Sequence, residues 1–196
     1  TFSLLDVGTG SADIPEVIVR WARRNHVTAR IAALEHHRVS VEEAAQQTRK
    51  LPEIRVVRGD GLSPPFNAGS FDFVLSSQLL HHFSDDQIIA ALRTWARLAR
   101  RAIIVNDLVR HPLAYHGIRL VTKTFTRNEM TRTDAPRSVQ RACTISEWRE
   151  LFRPANIRKF SIQRALPLRV LGVISITRKM RLFDAVIVGA GPSGSA

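Results

Sequence analysis

The 196-residue chain has one cysteine, one tyrosine and two methionines. A single thiol, Cys143, excludes an internal disulfide framework and fits a reducing compartment, so a cytoplasmic setting is expected. No stretch approaches the roughly 20 apolar residues that cross a bilayer. The nearest, residues 166–176, is short and carries Arg169. The histidines lack a matching carboxylate cluster, so no metal site is expected. Acids are scarce too: 17 Asp+Glu stand against 29 Lys+Arg, a formal net charge of +12. That balance can signal an anionic partner. The positives are spread, however, with only small clusters at Arg23-Arg24 and Arg100-Arg101. The spread favours solvated faces and helix ends over a nucleic-acid surface, which stays the alternative.

What is present is an ordinary globular composition, 44% hydrophobic and 23% charged, with room for one α/β domain. Its organising stretch is the start. Phe2, Leu4, Leu5 and Val7 read as a buried strand, and Gly8 and Gly10 as a sharp turn where a ligand can approach the backbone. Ile14, Val17, Ile18 and Trp21 recur at helical spacing after it. Pro15 is tolerable in a first turn, where its missing N–H has no partner. Strand, glycine turn and helix N-terminus together make a cofactor cradle. The G-T-G-S-A-D run from Gly8 has no glycine at Asp13, and so departs from a dinucleotide fingerprint.

Asp6, two residues before Gly8, completes an acid-x-G-x-G pattern that resembles the first motif of class I S-adenosylmethionine-dependent methyltransferases, with Ala12 in place of a last glycine. The resemblance implies a Rossmann-like, doubly wound α/β fold with a mostly parallel sheet closed by an antiparallel hairpin. It implies S-adenosyl-L-methionine as cofactor, with Asp6, Gly8, Thr9 and Gly10 among the residues that bind it and the two glycines giving backbone access to its methionine part. Glu35 closes a second apolar run, residues 29–34, and matches the family's ribose-binding acid; the other reading is a solvated loop acid. His36 beside it departs from the small or polar neighbours usual there. Asp60 and Gly61, after a third strand at 54–58, match the adenine-contacting position. That strand alternates enough to be an edge or near-edge one. Because the first strand opens almost at Thr1, the chain reads as truncated at its N-terminus.

Residues 71–77 form a fourth strand, and the following Leu80-His81-His82-Phe83 is similar to the same superfamily's small-molecule members, including quinone-biosynthesis and polyketide O-methyltransferases. Pro64-Pro65-Phe66 precedes this strand and lacks an Asn, so it is not the signature of amino-methylating enzymes acting on DNA. Ser84 can cap a helix over 87–99, and 102–105 is a fifth strand ending in Asn106-Asp107. Polar groups at five strand ends, Ser77 among them, therefore converge on one rim, where such sheets bind ligands. Residues 111–137 suit either a lid or a surface helical hairpin. A capped helix at 146 and two strands, 160–164 and 170–177, close a domain of residues 1–178.

Residues 179–196 stand apart. An apolar run leads to Gly189-Ala190-Gly191-Pro192-Ser193-Gly194, which looks like the opening of an FAD-dependent oxidoreductase without its helix. The segment is assigned no activity of its own, though it suggests a functional link to such an oxidoreductase. The expected function is transfer of a methyl group to a small acceptor, at a phenolic or enolic oxygen. His81 or His82 would be the base, with a packed or capping role as the plainer reading of either. The alternatives are an RNA methyltransferase and a cofactor-binding but silent partner of an oxidoreductase.

Overall fold

The computed structural model describes residues 1–110, 142–155, 157, 159–165 and 169–176. The expected lid and the glycine-rich C-terminal segment lie outside the described residues. Among those described, seven strands form one sheet: β1 (Phe2–Val7), β2 (Ala29–Glu35), β3 (Ile54–Arg58), β4 (Phe71–Ser77), β5 (Ala99–Leu108), β6 (Phe160–Ala165) and β7 (Arg169–Ser175). Their order is β3-β2-β1-β4-β5-β7-β6. The first five are parallel, and β7 runs antiparallel between β5 and β6. This is the expected doubly wound sheet with its closing hairpin, and β3 is the edge strand its alternation suggested.

Two cores sit on opposite faces, as a sheet buried on both sides requires. One holds Leu5, Val7 and Val74 against Ile88, Leu92, Trp95 and Leu98 of α3 (Asp85–Leu98) and Trp148 of α4 (Ile145–Phe152). The other holds Leu4, Ile31 and Phe73 against Val19 and Ala22 of α1 (Asp13–Arg24) and Ala44 of α2 (Arg38–Thr48). In α1 the buried face is Pro15, Val19 and Ala22, while Val17 stays 41% exposed. The apolar stripe of the sequence is thus turned by about one position. Small residues let the helix lie close to the sheet, and Ile18 and Trp21 flank the contact half-buried.

Both α3 and α4 begin with a capping box, from Ser84 with Gln87 and from Thr144 with Glu147. The β3-to-β4 connection, residues 59–70, contains no helix. Strand β5 includes Asn106 and Asp107 and runs one residue further, to Leu108. No described helix is long and apolar enough to cross a membrane.

Candidate functional site

The sheet order places a switch point at β1, whose neighbours β2 and β4 lead in opposite directions. Ligands bind beyond the strand ends at such a point. Asp6, the next-to-last residue of β1, is 2% exposed and lies beneath the glycine turn. Its Oδ2 accepts from Thr9 Oγ1 at 2.6 Å. Burial pushes its carboxyl up to about 6; the Thr9 bond works against this and the nearby Glu35 charge adds to it. Gly8 and Gly10 have φ of +71° and +58°, so the turn needs glycine at both.

The two glycines differ in what they face. A Cβ on Gly8 would stand 3.0 Å from Leu79, so the close approach there is made by the protein's own side chain. At Gly10 nothing lies within 4 Å, and the space above it is open to a ligand. The N–H groups of Gly8 and Thr9 both donate to Leu34 O, at 2.9 and 3.1 Å. The Gly10 N–H donates to Glu35 Oε2 at 3.0 Å, while Glu35 Oε1 accepts from the N–H groups of His36 and His37. Glu35 is therefore a buried carboxylate bound to the turn, not a solvated loop acid.

Ala12, the N-cap of α1, is left-handed at φ 67° with no side-chain cap, and Asp13 and Glu16 occupy the first turn. Together with Asp6 and Glu35 they give the cradle a negative field. That field opposes a pyrophosphate and suits a ligand carrying a sulfonium and an ammonium.

Across the switch, the residues after β4 fold back as a short turn. Gln78 is left-handed at φ 54°, and its N–H donates to Asn106 O at 2.8 Å. This sets Leu79 on Gly8 and starts the 3₁₀ turn Leu80–His82. His81 is buried, and its Nδ1 lies 2.7 Å from Asp107 Oδ1. Asp107 is fully buried and also accepts from the N–H groups of Leu80 and Leu108. His82 is exposed, its ring 4.1 Å from that of His81.

The remaining expected positions fall on the same rim. Ser77 Oγ accepts from Asn106 Nδ2 at 3.1 Å. Asp60 is exposed, with Oδ1 taking the Leu62 N–H. Gly61 is tied to the core: its carbonyl accepts from Trp95 Nε1, and a Cβ there would meet Val7 at 2.8 Å. His36 is exposed beside Glu35. Glu35 and the His81–Asp107 pair thus stand on opposite sides of β1, separated by strands about 4.8 Å apart.

The sequence reading missed Asp107 as the partner of His81. A signal existed: Ile103, Val105 and Asp107 alternate inward along β5, and an acid in a buried series needs a partner. Leu79 beneath Gly8 had no local signal, because that contact is made only in the fold. Among the described residues there is no His/Cys/Asp/Glu group that could hold a metal ion.

Sheet order, acidic glycine turn and strand-end carboxylates define a class I nucleoside-cofactor domain. The family described as "Methyltransferase domain" matches residues 4–102, and the chain belongs to it. It is an S-adenosylmethionine-dependent methyltransferase. No curated protein matches the chain in sequence. Among solved structures it is similar to a SAM-dependent methyltransferase from Aquifex aeolicus, at 16% identity and a TM-score of 0.62, covering 89% of this chain and 81% of that one. It is similar to the CMeT domain of the citrinin polyketide synthase, at 11% identity and a TM-score of 0.67, covering 88% and 46%. It also resembles the [4+2]-cyclase SpnF, at 20% identity and a TM-score of 0.59, covering 83% and 53%. The chain spans only about half the length of the last two, and at these identities the likeness is one of fold.

Proposed function

We propose that this methyltransferase acts on a small phenolic, quinone-like or polyketide acceptor at oxygen, with His81 as its base and Asp107 as the residue that positions it. The buried His81–Asp107 pair carries the reading. With Nδ1–H given to the carboxylate, Nε2 is the ring atom left to accept a proton. S-adenosylmethionine, when bound, supplies an electrophilic methyl group. The chain's part is to hold the acceptor hydroxyl in line, exclude water and take the proton as the oxygen attacks. Glu35 would take the ribose hydroxyls, and Asp60 the adenine amine, with His36 and Gly61 beside them. Asp6, Gly8, Thr9, Gly10 and Ser77 would shape the methionine end. His82 is the second candidate base.

This domain comprises residues 1–178 on our reading, and residues 179–196 the start of a dinucleotide-binding strand and loop that links it to an FAD-dependent oxidoreductase. An RNA acceptor finds no support at the rim, where acids gather and would repel phosphates. A silent domain is the second reading, because SpnF shares this fold with different chemistry named for it. The buried pair favours turnover.

The test joins calorimetry with S-adenosylhomocysteine to transfer of labelled methyl from S-adenosylmethionine onto a panel of phenols and hydroxyquinones. We expect micromolar binding, lost in Asp6→Ala and Glu35→Ala. Transfer should fall about 10²–10⁴-fold in His81→Gln with homocysteine-product affinity kept. Unchanged transfer in His81→Gln removes it as base; binding without any transfer favours the silent domain.

A further inference from the structure

Six of the arginines that look scattered in the sequence are gathered by the fold. Arg30, Arg55, Arg100 and Arg101 stand at the starts of β2, β3 and β5, and Arg24 and Arg49 at the C-terminal ends of α1 and α2. The strands β1 to β5 are parallel and the helices return between them, so all six lie at the end of the sheet opposite the rim. All six are exposed. Glu53 and Asp72 are described at this end, and both are engaged. Glu53 receives two hydrogen bonds from Arg23, at 2.7 and 2.8 Å. Asp72 accepts from Ser3 and lies 3.3 Å from Arg100. Arg24, Arg30, Arg49 and Arg55 make no ion pair with any described residue.

Helix macrodipoles account for Arg24 and Arg49, but not for Arg30 and Arg55. Register puts these two on one face of the sheet, since Ala32, two residues past Arg30, pairs with Arg55. The β3-to-β4 connection leaves that face without a helix of its own. Apolar anchors are few here. Of the exposed large hydrophobic residues described, Val17, Val39 and Ile176, only Ile176 lies at this end. A protein partner needs an apolar interface core, and stable attachment to a lipid surface adds inserted apolar residues to the charge attraction. A phosphate backbone is bound by charge alone.

We propose that the strand-start end of the sheet binds the phosphate backbone of a nucleic acid, without reading its sequence. The surface is separate from the methyl-transfer rim. The seven residues of β2 span about 20 Å at roughly 3.3 Å per residue, so nucleic acid held there is a tether and not the methyl acceptor.

The test is fluorescence anisotropy of the full chain with labelled single-stranded RNA and duplex DNA, titrated with salt from about 50 mM upward. Binding is expected at about 1–100 μM, with a linear fall of log affinity against log salt. Arg30→Gln/Arg55→Gln should weaken it at least tenfold and make that slope shallower by one to two. Its melting temperature and S-adenosylhomocysteine affinity should not change. Arg38→Gln/Arg58→Gln removes the same charge from the opposite end of the sheet, at the start of α2 and the end of β3, and should weaken binding less than threefold. Equal loss in both variants means net charge only and overturns the proposed surface. Absence of binding to either nucleic acid overturns it outright. Competition by polyglutamate as strong as by RNA would mean an acidic protein instead, and equally overturns it.

Discussion

Asp107 accepts three hydrogen bonds in a place without solvent, from the Leu80 and Leu108 backbone and the His81 ring. An amide at that position can satisfy only part of the set and sets an N–H₂ against a donor. Asp107→Asn should therefore lower unfolding free energy by about 2–3 kcal/mol, measured by urea denaturation. Asp6 makes the opposite case. Its folded value of about 6 stands above the 3.8 of an ordinary aspartate, so the folded chain holds the proton more tightly than the unfolded one. The stability this group contributes is whole below about pH 4 and is lost as pH rises through 6. Asp6→Asn, which cannot ionise, should match the native chain near pH 4 and exceed it near pH 7.5 by about 2–3 kcal/mol. Melting temperatures at the two pH values check this. The same variant should bind S-adenosylhomocysteine more weakly, since the site keeps a charge that the fold disfavours.

At the scale of elements, α1 ends in a Schellman turn. The Val27 N–H donates to Ala22 O and the His26 N–H to Arg23 O, with His26 left-handed at φ 54°. Glycine is the usual occupant of that position. His26 is exposed, so His26→Gly relieves the backbone at little cost in packing. It should raise stability by about 1 kcal/mol, read by thermal denaturation.

The sequence foretold this helix and its start but not its buried face. The large apolar residues Ile14, Val17, Ile18 and Trp21 suggested the stripe, whereas the small Ala22 permits the contact that decides it. Strands were more legible, because β1 to β4 are continuous apolar or alternating runs closed by polar residues. The glycine turn and the acids at the ends of β2 and β3 were legible for the same reason: each stands where a strand visibly stops. Left-handed Ala12 and Gln78 were not, since nothing in a side chain other than glycine announces that conformation.

Across the whole molecule, stability should follow the order of the sheet. Strands β1, β4 and β5 are paired on both sides, whereas β3 and β6 are edges. Amide exchange followed by mass spectrometry should be slowest in β1, β4 and β5, and fastest among the strands in β3 and β6. A β3 as protected as β1 would show that another segment covers that edge. Among the described residues charge follows the same axis, with acids around the glycine turn and arginines at the strand starts. Sequence order concealed this, because residues up to about 70 positions apart, from Arg30 to Arg101, meet at one end only once the strands lie side by side.

That polarity also serves as a handle. A sulfonated bead attracts the chain by its arginine end, so the resin that captures it also orients it. The immobilised layer would lie with every glycine turn facing the liquid, reachable by small reactants without a tag or linker.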